Sequence, residues 1–208
     1  MGINWAEDVI RHADGRCRCG WCGHDADYVR YHDTEWGVPE HDGQRLFEKF
    51  VLDAFQAGLS WLVILKKRDA FRRAFAGFDP ARVAAFDEAD VARLMSDAGI
   101  VRNRAKIEAA IAAARIVMER GGPDWFARFL WDFVDGKPLQ PGYRSRTQVP
   151  DRTELSRRIS QEMKEMGFRF CGPVTVHAFM QAVGMTNDHL LSCWRHEEVR
   201  RLGEGSAG

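Results

Sequence analysis

The sequence lacks an excess of charge of either sign, because its 30 lysine and arginine residues equal its 30 aspartate and glutamate residues. No global basic field therefore identifies a nucleic-acid binder, although local basic patches are enough to contact phosphates. A long apolar run is missing as well. The most apolar segment, residues 50–65, contains Asp53, Gln56 and Ser60 and is too short to span a bilayer. We therefore expect no membrane as a partner.

Cysteine is scarce and unevenly spaced. The sequence has five cysteines, an odd number, and no secretory signal pattern precedes them. A disulfide framework is therefore not expected, and a reduced, cytoplasmic compartment is the simplest interpretation. Internal repeats are also missing, and 208 residues suffice for one core or for two small lobes that share one.

Helix start and stop signals are frequent, whereas almost no segment has the pattern of a β-strand. Apolar side chains recur at helical spacing from Gln44 onward, and Gly58 suits a left-handed cap at the end of that helix. Other helices are predicted to begin at polar caps or proline and to end at glycine. The predicted starts are Ser60, Asp79 with Pro80, Asp87, Asn103, Asp151 with Glu154 as a capping box, and Pro173; the predicted ends are Gly77, Gly99, Gly121–Pro123, Gly167 and Gly184.

These signals predict an all-α fold with two lobes. A central helical lobe covers residues 36–118, and the two chain ends, residues 1–35 and 119–208, combine into a second lobe. Residues 140–150 are predicted to form a polar connection. The first fifteen and last ten residues are predicted to be loosely held termini.

Four residues have the chemistry and the placement of metal ligands: Cys19, His32, His189 and Cys193. His189 and Cys193 are four residues apart, so on a helix they would share a face and chelate one ion. Alternatives remain open at this point. Cys17, Cys19 and Cys22 form another cysteine cluster, and His189 with Cys193 also fits a buried histidine beside a small core cysteine. Cys171, in apolar surroundings, is expected to be core.

Aromatic residues cluster around one of these candidate ligands. Tyr28, Tyr31 and Trp36 bracket His32, and Trp21 lies just upstream. They fit either the packing around a metal site or a stacking box for a flat, electron-poor ring.

Asp53 is the only charged residue in the segment 50–65. An unpaired carboxylate there would be costly, so it must be paired with an arginine, bonded to helix N–H groups or placed at a cavity wall. Trp61 is predicted to lie across the same cavity.

Several motifs occur together in a fixed order over about residues 18–194. They are RCGW (18–21), YHDTEWGVP (31–39), QAGLSW (56–61), DAGIVR (97–102), GFRFCG (167–172), FMQA (179–182) and NDH (187–189), followed by Cys193. This series resembles the DNA-3-methyladenine glycosylase I family of the helix-hairpin-helix glycosylase superfamily. The resemblance implies a helix-hairpin-helix lobe and a zinc-tied lobe made from both termini.

The resemblance also implies roles for individual residues. Cys19, His32, His189 and Cys193 match the ligands of one structural zinc ion per chain, in preference to Cys17 and Cys22. Asp53 stands where many relatives carry glutamate, and Asp53 and Tyr31 are the expected catalytic residues. The expected base-binding residues are Trp21, Tyr28, Tyr31, Trp36, Trp61 and Asp53.

Two further segments match the DNA-contacting parts of the family. Gly58 and Leu59 match the turn that fills the gap left by the flipped nucleotide. The hairpin at residues 98–103 lacks the second glycine that is common in the superfamily, yet its backbone is expected to hold a phosphate. The expected DNA-binding residues are Gly58, Leu59, Gly99, Arg102, Asn103, Arg104 and Lys106.

The implied activity is base excision by a monofunctional, monomeric enzyme that flips 3-methyladenine out of double-stranded DNA and hydrolyses its N-glycosidic bond. Strand cleavage is not expected, because it needs a lysine amine placed for a Schiff base and no lysine is singled out for that role. Two other functions remain open. One is a non-catalytic, zinc-stabilised module that binds DNA or nucleotides, and the other is a zinc hydrolase, which a closed four-ligand site disfavours.

Overall fold

Ten α-helices and one short antiparallel hairpin make up the part of the chain that the computed structural model describes, residues 7–205. The all-α fold class is therefore confirmed. The elements are β1 (Val9–Arg11), β2 (Cys17–Cys19), α1 (Ala26–Thr34), α2 (Gly43–Gln56), α3 (Trp61–Ala74), α4 (Pro80–Ala84), α5 (Glu88–Ser96), α6 (Arg104–Arg120), α7 (Pro123–Trp131), α8 (Glu154–Glu165), α9 (Pro173–Ala182) and α10 (Arg195–Gly205).

Most of the predicted helix starts are confirmed by the hydrogen bonds that cap them. The side chains of Asp79, Asp87 and Asn103 each accept a bond from a backbone N–H in the first turn of α4, α5 and α6. Ser60 precedes α3 as predicted, but its side chain makes no capping bond. Gly58 has the predicted left-handed conformation, with φ +89°.

The predicted capping box at Asp151 and Glu154 is wrong. Thr153 caps α8, and its hydroxyl accepts a 3.0 Å bond from the Ser156 N–H, while the Ser156 hydroxyl accepts a 2.9 Å bond from the Thr153 N–H. Two hydroxyls three residues apart satisfy the same pair of N–H groups as a hydroxyl and a carboxylate. Asp151 lies before the helix and Glu154 is its first residue.

The prediction of loosely held termini is also wrong for the residues that the structure describes. Val9 to Arg11 pair with β2, which places Val9 opposite Cys19. At the other end α10 continues to Gly205, and Val199 on its inner face is fully buried. Residues 1–6 and 206–208, which the same prediction includes, lie outside the described residues.

Helix α7 was not predicted, because the sequence pattern indicates Pro123 only as the end of α6. Proline is also a good first residue of a helix, and Phe126 and Leu130, one turn apart, are both fully buried.

The core is arranged around α2. This helix packs against α3, α6, α7 and α9, and nine of its fourteen residues are buried. The buried side chains form a cluster that includes residues from both predicted lobes, so the division into lobes stays a prediction. Within residues 7–205, no helix combines the length and apolarity needed to cross a membrane.

Candidate functional site

Cys19, His32, His189 and Cys193 meet in the interior of the protein. All four are buried, and their ligand atoms lie within 4.8 Å of one another. Cys193 Sγ is 3.4 Å from His32 Nε2 and 3.6 Å from His189 Nδ1, and Cys19 Sγ is 3.7 Å from His189 Nδ1. The N–S edge of a tetrahedral zinc site is about 3.6 Å, given zinc–nitrogen and zinc–sulfur bonds of about 2.0–2.1 and 2.3 Å. The four side chains therefore fit a tetrahedral metal ion.

The second nitrogen of each histidine is held by an oxygen atom. His32 Nδ1 lies 2.8 Å from Asp33 Oδ1, and His189 Nε2 lies 3.0 Å from the carbonyl oxygen of Trp36. Asp33 is in turn held by Arg18, whose Nη2 lies 2.7 Å from Oδ2. Such outer partners fix the ring orientation and direct the remaining lone pair of each imidazole toward the metal position.

The sequence predicted that these four residues meet, and the structure brings them together, but one reason for the prediction is wrong. His189 and Cys193 do not share a helix face, because both lie in the irregular segment between α9 and α10. Cys17 and Cys22 lie outside the four-residue cluster found among residues 7–205, and Cys171 is buried in the core as expected.

A cavity of about 350 Å³ lies beside this cluster, and every predicted base-binding residue lines it. The cavity is partly enclosed by aromatic rings from the two segments that carry Cys19 and His32. Trp21 packs edge-on against Tyr28 and Trp36, with ring centroids 5.1 and 5.0 Å apart, and Tyr31 lies 5.3 Å from Trp61. The lining side chains predicted from the sequence are Trp21, Tyr28, Tyr31, Trp36, Asp53 and Trp61.

Asp53 lies at the cavity wall, and its residue is only 2% exposed. One carboxylate oxygen accepts a hydrogen bond from the ammonium group of Lys49, one turn earlier on α2. The other oxygen, Oδ2, is buried and makes no hydrogen bond among the described residues. Burial raises the pKa of Asp53, and the charge of Lys49 opposes that rise. The carboxylate is therefore at a cavity wall and paired, but with a lysine and not with an arginine.

Lys49 was not predicted as a residue of the site. Its Nζ lies 3.8 Å from the centroid of the Trp61 ring, so the ammonium contacts both a carboxylate and an aromatic face of the cavity. Burial lowers the pKa of Lys49. The spacing of four residues between Lys49 and Asp53 on a predicted helix would have identified this pair.

Several buried polar atoms at the cavity make no hydrogen bond. Among the described residues they include Asp53 Oδ2, the indole Nε1 atoms of Trp21 and Trp61, and His177 Nδ1, whereas His177 Nε2 lies 3.4 Å from Asp188 Oδ2. Burial raises the pKa of Tyr31 well above its usual value, so its phenol stays protonated and retains its donor. Unsatisfied donors and one acceptor around a flat, aromatic cavity fit a planar ligand that supplies their missing partners.

The turn between α2 and α3 forms one rim of the cavity. Gly58 and Leu59 line the cavity, and the Leu59 side chain remains 37% exposed. Lys106 stabilises this turn from the protein interior. Its Nζ donates hydrogen bonds of 2.9 and 2.7 Å to the carbonyl oxygens of Phe55 and Ala57. Its amine therefore faces the protein interior, unlike the exposed Arg102 and Arg104.

Comparison with known proteins agrees with this geometry. The family model described as methyladenine glycosylase matches residues 21–196. The chain is 46% identical over 178 residues to DNA-3-methyladenine glycosylase 1 of Escherichia coli K12, an alignment that covers 85% of this chain and 95% of the relative. It is 44% identical to DNA-3-methyladenine glycosylase of Haemophilus influenzae, with 85% and 96% covered. The chain belongs to the methyladenine glycosylase family.

Solved structures of this family have the same fold. A crystal structure of 3-methyladenine DNA glycosylase I superposes with a TM-score of 0.81 at 44% identity and covers 85% of this chain and 98% of that one. A single-residue variant of 3-methyladenine DNA glycosylase I in complex with 3-methyladenine gives a TM-score of 0.80 at 36% identity, with 85% and 96% covered.

Residues 98–103, for which the family resemblance implies a hairpin, form the turn between α5 and α6. The Gly99 N–H donates a 2.7 Å bond to Asp97 Oδ1, and Lys67 Nζ donates 3.2 and 3.1 Å bonds to the carbonyl oxygens of Gly99 and Ala98. Arg104 is exposed and bonded to Glu88 at 2.7 Å. The turn is thus fixed within the protein, and its contact with phosphate stays a prediction.

One wall of the cavity in this family member was not predicted. It is formed by α9 and by the segment between α7 and α8. The motif FMQA lies in α9, but no role at the cavity was predicted for it. The lining residues that were not predicted are Lys49, Gln56, Ala57, Arg146, Thr147, Val149, Pro150, Asp151, Val174, Thr175, His177, Ala178, Gln181 and Ala182.

Proposed function

We propose that this chain excises 3-methyladenine from alkylated double-stranded DNA by hydrolysing the N-glycosidic bond. The single observation that carries this proposal is the cavity in which the Asp53 carboxylate, with one oxygen unpartnered, lies among five aromatic side chains. Relatives that are 44–46% identical are named DNA-3-methyladenine glycosylases, and a similar structure contains 3-methyladenine.

The chemistry follows from the charge of the substrate. Methylation at N3 makes the base cationic, so the base departs with the electrons of the glycosidic bond and a water molecule adds to the sugar carbon. The Asp53 carboxylate stabilises positive charge on the base and on the sugar as the bond breaks. Tyr31 and Asp53 bond the edge of the base, and Trp21 and Trp61 contact its ring. Unmethylated adenine is neutral and gains less from this site.

Leu59 would act as the wedge that fills the gap in the duplex, because it is exposed at the rim of the cavity. We expect Leu59→Ala to slow excision from duplex DNA by about tenfold, which corresponds to about 1.4 kcal/mol of lost wedge contacts. Excision from single-stranded DNA should change little, because no stacked gap has to be filled. Met118→Ala is the matched control, since Met118 is 38% exposed and lies near the end of α6, away from this rim. An equal loss on both substrates would contradict the role of Leu59.

The turn between α5 and α6 would bind the DNA backbone. The N–H groups of Gly99, Ile100 and Asn103 already donate to oxygen atoms of the protein. The N–H groups of Val101 and Arg102, with the exposed side chains of Arg102 and Arg104, would therefore hold a phosphate. For Lys106 we propose a positioning role, because its amine is bonded to carbonyl oxygens at the end of α2.

We propose that Cys19, His32, His189 and Cys193 hold one zinc ion with a structural role. Four protein ligands complete a tetrahedral site and leave no position for a catalytic water. The ion would tie β2, α1 and the segment after α9 together, and Trp21, Tyr31 and the carbonyl of Trp36 lie next to those ligands.

Purified protein incubated with methylated duplex DNA should release 3-methyladenine, which chromatography with mass spectrometry identifies. The DNA strand should stay intact, and borohydride should trap no protein–DNA adduct, because no Schiff base forms. Tight binding of methylated DNA without release of a base would instead support a non-catalytic, zinc-stabilised binding module. The monomeric state and the cytoplasmic location stay predictions.

A further inference from the structure

One charged side chain of the cavity has no part in the function proposed above. Lys49 lines the cavity one turn before Asp53, and its ammonium group bonds Asp53 and lies over the Trp61 ring. A cation between a carboxylate and an indole face has the same two partners that a positively charged base would have there. Asp53 Oδ2 is open to a second cation, but two cations cannot lie over the same face of the Trp61 ring at once.

A second cavity of about 410 Å³ offers the lysine another position. Lys49 and Tyr31 line both cavities, so Lys49 lies in the wall between them. The second cavity is lined by the carboxylates of Glu35, Glu40 and Glu48, and each of them is paired with an arginine that lines the same cavity. A lysine side chain has four rotatable bonds. The ammonium can therefore leave the face of Trp61 for a polar, partly open cavity, where it would share these carboxylates with the arginines.

We propose that Lys49 is a positioning residue that keeps the Asp53 carboxylate ionised in the empty cavity and vacates the Trp61 face when the cationic base enters. This inference rests on the proposed function, because it assumes that the base carries a positive charge. In the empty state the lysine supplies the counter-charge, and in the bound state the substrate supplies it.

The electrostatics of the site support this exchange. Burial raises the pKa of Asp53, and among the described residues Lys49 lowers it through its charge and its hydrogen bond. Without Lys49 the pKa of Asp53 would rise further, so the carboxylate would be lost at a higher pH as the solution is acidified. The other charged or titratable groups facing this pair are Tyr31, the ion-paired Glu35 and Arg68, and, in the cavity lining, Arg146, Asp151 and His177.

The first test is the pH dependence of single-turnover excision of 3-methyladenine at subsaturating enzyme, because that rate reports the ionisation of the free enzyme, in which Lys49 contacts Asp53. Lys49→Met should move the acid limb to higher pH by about one unit or more, which lowers the rate about tenfold on that limb. At alkaline pH, where Asp53 is ionised in both proteins, the rates should converge. Lys49→Arg keeps the charge and should keep the wild-type limb. Arg73→Met, which removes an exposed cation that lines neither cavity, is the matched control. An acid limb that is unmoved in Lys49→Met, or a loss that is equal at every pH, would overturn the proposal.

The second test needs only the wild-type protein. The ring current of Trp61 should shift the ε-methylene signal of Lys49 upfield in the NMR spectrum, and its absence in Lys49→Met assigns it. Saturation with 3,9-dimethyladeninium, a permanently cationic analogue with methyl groups on N3 and N9, should return that signal toward the usual lysine position. A signal that stays upfield at saturation would show that the lysine is not displaced.

The two proposals fail in different ways. Wild-type protein that releases no 3-methyladenine would refute the proposed function, and the NMR experiment would then decide the role of Lys49 alone. Wild-type protein that excises the base normally, with a Lys49→Met profile identical to its own, would refute only the role of Lys49.

Discussion

Asp53→Asn is expected to slow the release of 3-methyladenine by about a hundredfold or more under single-turnover conditions. The Asp53 carboxylate is proposed to stabilise the positive charge on the departing base and on the sugar. Loss of one such stabilising group lowers the rate by about 10²–10³. Asparagine has nearly the same shape, so the cavity should keep its form. The variant should also lose the acid limb that ionisation of Asp53 gives the wild-type profile, because its rate no longer depends on that group.

The controls separate chemistry from folding. Asp53→Asn leaves the ammonium group of Lys49 without its carboxylate partner, which costs stability by itself. The double variant Asp53→Asn, Lys49→Met removes both charges and should recover stability but not excision. Asp69→Asn changes an exposed carboxylate on α3 and should leave the rate unchanged. Excision by Asp53→Asn at the wild-type rate would remove Asp53 from the mechanism.

Loss of the metal is expected to have the largest effect on stability. A strong chelator, or Cys193→Ser, should lower the free energy of unfolding by at least about 3 kcal/mol, because the binding energy of a structural zinc is part of the folding energy. For a chain of this size that corresponds to a decrease in Tm of about 10 °C. Thermal unfolding followed by circular dichroism measures this change, and elemental analysis should find about one zinc per wild-type chain.

The matched control for Cys193→Ser is Cys17→Ser. Cys17 is only half-buried and lies outside the four-residue cluster, so its substitution should change neither the zinc content nor the Tm substantially. The remaining folded fraction of metal-depleted protein should still excise 3-methyladenine at low temperature. A fully folded, metal-free protein that has lost all turnover would contradict a structural role and indicate a catalytic metal.

The features that depend on local interactions could be predicted from the sequence. The starts of α4, α5 and α6 were predicted because a capping side chain bonds an N–H group two or three residues away, and nothing distant is needed to form that bond. The order of the motifs identified the family, and with it the four residues of the buried cluster and the aromatic residues that line the cavity. The local inferences failed where two solutions satisfy the same groups, as at Thr153, or where proline both ends and starts helices, as at Pro123.

The contacts between groups that are distant in sequence could not be predicted from local patterns and are seen in the tertiary structure. Cys19 and His189 are 170 residues apart in sequence, and their contact depends on the packing of the whole chain between them. The same holds for the bonds of Lys106 to the end of α2, for the position of Lys49 over Trp61 and for the wall that α9 adds to the cavity. Such contacts depend on the sum of many weak packing terms across the core, and no short segment of sequence contains that sum.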